Sequence, residues 1–288
     1  MVNYLYLCTV IWIRMSKKII IALSVLALGL SSCGNYTNVL RADDYDYRYE
    51  AAKEYYAAGE YSRCYQVLED MILMLKATDK GEESLYMLAM SYFNLRYYDS
   101  ASDYFERYYK SYPKGIYTEL SRYYAGVAAF KQSPDSRLDQ SSTYTALNCL
   151  NEYLEYYPSS EFREEVTDMI FQLQERLAKK EYESAKLYYN LGSYTGNCIF
   201  GGNNYDACII TAENTLKLYP YTNYREELMM LILRSRYKLA LNSVERKAEE
   251  RYRATIDEYY GFKNEYPESK YNKEADKIFK VCSSKVKM

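Results

Sequence analysis

Leu85-Tyr-Met-Leu-Ala-Met-Ser-Tyr-Phe-Asn-Leu95, followed by Ala101-Ser-Asp-Tyr-Phe105 and closed by Tyr112-Pro113, is the stretch that decides the fold. Leu85, Leu88, Ala89 and Tyr92 recur at helical spacing, and Ala101 and Phe105 do the same on a second helix. Ala89 and Ala101 are small, as two antiparallel helices crossing at close range require. Leu88, Tyr92 and Phe105 fill the space around that crossing. Pro113 ends the second helix because it has no N–H to donate.

These offsets match the tetratricopeptide pattern W-x2-L-G-x2-Y…A-x3-F…P, with Leu85 standing for the Trp and Ala89 for the Gly. One helical hairpin cannot bury its own apolar faces, so neighbours are required. Tyr-Pro recurs at Tyr112-Pro113, Tyr157-Pro158, Tyr219-Pro220 and Tyr266-Pro267, and an aromatic stands four residues after each proline: Tyr117, Phe162, Tyr224 and Tyr271. Only Pro134 falls outside this use. The expected fold is all-α, a tetratricopeptide-repeat solenoid of about five helical hairpins at ~34–45 residues each.

Composition narrows the function. The 288 residues carry a formal net charge of −2, without the basic excess of a nucleic-acid binder. There is no histidine, which removes the commonest general base, metal ligand and triad member. The 39 tyrosines are explained by helix packing, since the ring is large and its hydroxyl can stay wet.

The N-terminal region 1–33 reads as a leader. Lys17-Lys18, the apolar run Ile19–Leu30 and Ser31-Ser32-Cys33 give the basic, apolar and small parts of an export signal. The run is too short for an ordinary membrane span. Leu30-Ser31-Ser32-Cys33 resembles the lipobox of bacterial lipoproteins, which implies acylation of Cys33; an uncleaved signal anchor is the alternative. Residues 1–14 fit no such signal, so translation starts at Met15 or the segment lengthens the anchor. Trp12, the one tryptophan, lies ahead of Cys33. Residues 34–44 read as a tether.

The repeats divide into N-terminal hairpins one to three, residues 45–160, and C-terminal hairpins four and five with a capping helix, residues 161–288. Ala52 to Ala89 and Cys64 to Ala101 are both 37 residues apart, so the first two hairpins are in step. The third carries Gly126, Ala146, Leu150 and Tyr153 and a loop at Gln132–Ser142. A helical stretch Phe162–Ala178 belongs to no complete hairpin and links repeats three and four. The fourth starts near Lys179, with an insertion at Thr195–Asn204. The fifth runs Tyr224–Tyr266, and Tyr271–Lys280 caps the stack.

No chemistry of an enzyme is visible, and no catalytic residue, metal ligand or cofactor is assigned. The pairs Glu82-Glu83, Glu164-Glu165 and Glu226-Glu227 stand early in first helices, where carboxylates favour the positive end of the dipole. Cys64 and Cys208 fall at the small crossing position. Cys198 and Cys208 could close the insertion as a disulfide in an oxidising compartment; the spacing leaves this open.

Binding is the function to which the repeat points. Residues one, five and eight places after the leading signature position form a stripe on each first helix. The stripe is Tyr49, Lys53 and Tyr56, then Tyr86, Met90 and Phe93, then Tyr123, Val127 and Phe130. An aromatic groove with one cation suits a peptide bearing exposed aromatics and a carboxylate.

Cys33, Ala52-x2-Tyr55, Ala89-x2-Tyr92…Ala101-x3-Phe105…Tyr112-Pro113, Tyr156-Tyr157-Pro158-Ser159-Ser160 and Tyr266-Pro267-Glu268-Ser269-Lys270-Tyr271 together resemble the BamD family, lipoproteins of outer-membrane β-barrel assembly. The resemblance covers Cys33–Met288. It implies a lipid-anchored adaptor on the periplasmic face of the outer membrane. It also implies N-terminal repeats that take targeting segments of unfolded outer-membrane proteins, and C-terminal repeats that dock the barrel subunit BamA. The insertion at Thr195–Asn204 and the tyrosine content depart from that family. Two rivals share the helical-repeat architecture. A glycan-capture lipoprotein of the SusD kind is longer and uses Trp platforms, which the chain after Cys33 lacks. A general cell-envelope repeat scaffold is the other.

Overall fold

The computed structural model describes residues 36–194 and 203–286. All regular structure among them is helical. A helical segment at 36–41 precedes α1 (Tyr45–Ala57), α2 (Tyr61–Leu75), α3 (Gly81–Asn94), α4 (Tyr98–Ser111) and α5 (Thr118–Gln132). Then follow α6 (Ser141–Tyr156), α7 (Arg163–Leu191), α8 (Asn204–Leu218), α9 (Arg225–Leu241), α10 (Glu245–Glu265) and α11 (Asn272–Ser283). Each helix packs on the next along most of the chain, and first helices also touch the first helix of the following hairpin (α1 on α3, α7 on α9, α9 on α11). That is the all-α, tetratricopeptide-type solenoid the spacing predicts, with more helices than five hairpins need. Two compact units divide between Lys131 and Gln132.

The crossing positions are as tight as their small residues require. Ala52, Cys64, Ala89 and Ala101 are fully buried in unit 1, as are Ala185, Cys208 and Ala212 in unit 2. Around them Leu68, Leu88 and Phe105, and in the second unit Leu228, Leu233 and Phe262, are also fully buried. The cysteines here act as small apolar groups: burial pushes the Cys64 and Cys282 thiols up to about 11, and raises that of Cys208. A disulfide between Cys198 and Cys208 involves a residue outside the described ones.

The four Tyr-Pro steps form one turn repeated four times. Tyr112, Tyr157, Tyr219 and Tyr266 close their helices at φ/ψ of −125/67, −129/64, −126/69 and −127/67°. The following proline ring forbids the helical region to the residue before it, which fixes this geometry. Each tyrosine carbonyl then accepts an N–H three residues on, from Gly115, Ser160, Thr222 and Ser269 at 3.0, 3.2, 3.2 and 3.2 Å. The hydroxyls of Ser160, Thr222 and Ser269 accept the N–H of Phe162, Tyr224 and Tyr271, the aromatics four places after each proline. The first turn has Gly115 instead, and there the Tyr108 hydroxyl accepts the Tyr117 N–H at 3.1 Å. A side chain at Gly115 would put its Cβ 2.7 Å from that hydroxyl and 2.5 Å from Glu82 Oε1. A larger residue there would have to displace the Tyr108 hydroxyl and the Glu82 carboxylate, which already fill the place of the serine.

The acidic pairs do more than face the helix dipole. Glu82 Oε1 accepts the Ile116 N–H at 2.8 Å and the Tyr108 hydroxyl at 2.6 Å, tying the start of α3 to the turn that ends α4. Glu226 accepts the Ser269 hydroxyl and Glu227 pairs with Lys270 at 3.0 Å, repeating the device between α9 and the last Tyr-Pro turn. At the third turn Glu175 is the acceptor instead, taking hydrogen bonds from the backbone N–H and the Nδ2 of Asn223.

Three boundaries differ from the sequence expectation. The linking stretch Phe162–Ala178 and the first helix of hairpin four are one 29-residue helix, α7. Nothing between Arg163 and Leu191 breaks a helix, and Ala178-Lys179-Lys180-Glu181 are strong helix formers. The tether 34–44 is partly folded: 36–41 is helical, with Val39 only 2% exposed against the unit 1 core. The units part at 131/132 and not at 160/161, so α5 belongs to unit 1 while α6 belongs to unit 2.

Candidate functional site

The aromatic stripe of the first helices lies within unit 1, on α1, α3 and α5. Its nine positions separate by burial. Tyr49, Tyr123 and Val127 are 4%, 6% and 8% exposed and are packing residues with little surface for a ligand. Lys53, Tyr56, Tyr86, Met90, Phe93 and Phe130 are half-buried and keep accessible surface.

Ring contacts join the stripe into a cluster. Tyr86 stacks on Tyr117 with centroids 4.1 Å apart and planes at 9°, and Phe93 meets Tyr124 edge-on at 5.1 Å. Tyr124 in turn stacks on buried Phe105 at 5.6 Å, and Tyr56 packs edge-on against Tyr61 at 5.7 Å. Desolvation raises the Tyr86 phenol, and neighbouring Tyr56, Tyr124 and Tyr117 raise it further; burial pushes Tyr56 up to about 12. These phenols stay neutral at physiological pH and offer ring faces and O–H donors, not charge.

Tyr117 and Tyr124 belong to this cluster and were not among the stripe positions. Tyr117 carried a signal, since it is the aromatic after the Tyr112-Pro113 turn. Tyr124 is one residue out of register with the stripe, and only the neighbouring helices show where its ring goes.

The single cation is compensated. Lys53 Nζ lies 3.3 Å from a Glu83 carboxylate oxygen, and Glu83 also accepts the Tyr49 hydroxyl. Lys53 and Lys80 both lie over the Tyr49 ring, at 5.3 and 5.0 Å. Lys80 pairs with Asp46 at 2.7 Å. A carboxylate ligand reaching Lys53 therefore competes with Glu83. The sequence could not show this, because Glu83 is 30 residues from Lys53 and stands in a pair explained by helix-end position.

The repeat signature and the stacked hairpins define a tetratricopeptide-type helical-repeat protein. Its family is narrower: the model of YfiO, outer membrane lipoprotein, matches residues 41–199, more than half of the chain, and the chain belongs to that family of outer membrane lipoproteins. No curated protein sequence matches it. Among solved structures, the Podosopora anserina putative kinesin light chain with nearly identical TPR-like repeats, and a single-residue variant of that protein, are each similar at 15% identity. The TM-score is 0.30 in both cases, over 77% of this chain and 95% of that chain. A likeness at that score carries no argument about the site. Among the described residues no helix is long and apolar enough to cross a membrane.

Proposed function

We propose that this chain is a non-catalytic adaptor in outer-membrane β-barrel assembly. It is acylated at Cys33 after removal of the leader and is held on the periplasmic face of the outer membrane. Unit 1 takes targeting segments of unfolded barrel proteins on the half-buried stripe Lys53, Tyr56, Tyr86, Met90, Phe93 and Phe130. Unit 2 docks a BamA-like barrel subunit. Family membership is the observation that carries the assembly role. The clustered rings around Tyr86 and Phe93 support the binding surface, because half-exposed aromatics held by fixed neighbours lose little entropy on contact.

The ion pair Lys53–Glu83 makes the groove testable without touching the core. Peptides ending in an aromatic residue and a free carboxylate are titrated against the full chain by fluorescence anisotropy. Glu83→Gln frees Lys53 and is expected to tighten binding of the carboxylate form and leave an amidated peptide unchanged. Replacing Lys53 by Glu, or truncating Tyr86 and Phe93 to Ala, is expected to weaken binding by about tenfold or more. Affinities indifferent to all these changes remove the stripe from the account. Pull-down of tagged protein from gently solubilised membranes tests the assembly role: a large barrel protein recovered in near-stoichiometric amount supports it, and its absence refutes it.

A further inference from the structure

We propose that the end of unit 1 bearing its intra-hairpin turns rests on phospholipid headgroups, with Tyr36, Tyr55 and Tyr97 as interfacial rings and Arg96 as a phosphate ligand. The inference rests on acylation at Cys33. From Cys33 to Tyr36 there are three peptide steps, which span at most about 11 Å. The anchor therefore holds Tyr36 close to the bilayer surface, wherever else the chain goes.

Tyr36 identifies which end of the unit that is. Its ring packs edge-on against Tyr55 at 5.9 Å, and the Arg63 guanidinium lies over both rings at 5.6 and 5.8 Å. Tyr55 is in the last turn of α1 and Arg63 in the first turn of α2, so the anchor attaches beside the turn between them. Tyr65, early in α2, contacts Tyr97 at 6.5 Å and brings the next hairpin's turn to the same end. Tyr97 is 55% exposed. The Tyr36 hydroxyl donates to Gln66 Oε1. Tyrosine side chains, apolar in the ring and polar at the hydroxyl, favour the boundary between headgroups and acyl chains.

Arg96 supplies the second, independent observation. It sits at φ 65°, the left-handed region, at the position where the first hairpin has Gly59 at φ 74°. The two positions are 37 residues apart, the repeat length that relates Ala52 to Ala89. A glycine there would be unstrained, whereas an arginine keeps the strain and projects a guanidinium from the turn. Among the described residues its side chain has no hydrogen bond or ion pair, whereas Arg63 pairs with Glu60 at 2.6 Å. Backbone strain retained at an exposed, unpaired cation marks a site with a task. A guanidinium beside interfacial rings is suited to a phosphate diester, which it binds through two parallel N–H donors.

Because Trp12 precedes Cys33, the acylated chain has no tryptophan, and a single introduced one reports its own surroundings. Tyr97→Trp is placed in the patch. Ile116→Trp is placed at the far end of α4, about 20 Å away along the helix, where Ile116 is 79% exposed. Each acylated variant is reconstituted into phosphatidylcholine–phosphatidylglycerol vesicles carrying bromine on the upper acyl chain. Emission from Tyr97→Trp is expected to be quenched and blue-shifted, and that from Ile116→Trp unchanged. Adding Arg96→Gly to the Tyr97→Trp chain is expected to raise the urea midpoint, because strain is relieved, yet to weaken quenching by roughly half. A chain that floats with the vesicles while Tyr97→Trp is quenched no more than Ile116→Trp overturns the headgroup contact alone. So does quenching that Arg96→Gly leaves unchanged, for the phosphate role. A chain that does not float, with Cys33 unacylated by mass spectrometry, overturns the anchor and the contact together.

Discussion

Removal of one oxygen, in Tyr108→Phe, tests the hairpin turn most directly. The Tyr108 side chain is fully buried, and its hydroxyl donates to Glu82 Oε1 at 2.6 Å while accepting the Tyr117 N–H at 3.1 Å. Phenylalanine keeps the ring and its burial, so the apolar contribution is nearly unchanged. A hydrogen bond to a charged acceptor contributes about 1.5–3 kcal/mol, and an orphaned buried N–H costs about 1–3 kcal/mol more. Glu82 is half-buried and keeps the Ile116 N–H at 2.8 Å, which softens the loss on that side. The expected destabilisation is about 2–4 kcal/mol, read as a fall of about 1–2 M in the urea midpoint of unit 1. Far-ultraviolet circular dichroism follows the unfolding. Tyr97→Phe, at a side chain 55% exposed, serves as control and should cost under about 0.5 kcal/mol. A double-mutant cycle with Glu82→Gln should return a coupling of about 1–2 kcal/mol. If Tyr108→Phe proves no costlier than Tyr97→Phe, the hydroxyl does not stand in for the missing serine, and the account of the turn fails.

Two further outcomes follow from the same structure. Burial raises the phenols of Tyr36, Tyr49, Tyr86, Tyr92 and Tyr108 above the usual ~10, so the folded chain holds these protons more tightly than the unfolded one. Their contribution is complete below about pH 10 and is lost as pH rises beyond it, giving base-induced unfolding in step with tyrosinate absorbance; ionisation at pH ~10 with the helices intact contradicts this. The glycines should respond with opposite signs. At Gly81 a Cβ would lie 2.4 Å from the Leu75 carbonyl oxygen and 2.7 Å from the Tyr112 hydroxyl, so Gly81→Ala should cost about 1–3 kcal/mol. Gly261 lies within α10 with open space around it, and Gly261→Ala should stabilise by about 0.5–1 kcal/mol. Thermal and urea unfolding of the two variants check both signs.

The candidate site was legible in part. Helical period placed Lys53, Tyr56, Tyr86, Met90, Phe93 and Phe130 on first helices of one unit, and they retain surface there. The same period could not tell them from Tyr49, Tyr123 and Val127, because exposure depends on the next helix and not on the residue's own. The neutralising role of Glu83 was hidden for a similar reason. Its early place in α3 already had a sufficient explanation, and Lys53 lies one helical hairpin away.

Sequence alone determined what is local and repeated. The Tyr-Pro steps had to end helices, since a residue before proline is barred from the helical region whatever surrounds it. The small residues at 52, 64, 89 and 101 had to mark crossings, because nothing larger fits between helices so close. Tertiary structure decided what depends on partners distant in the chain. It made α7 a single helix, since a pattern of core positions does not say whether two segments share an axis. It folded 36–41 onto the unit 1 core, where the burial of Val39 comes from residues the segment itself cannot specify. It also gave Glu82 and Tyr108 the work done elsewhere by a serine, an exchange visible only once the start of α3 and the end of α4 lie side by side.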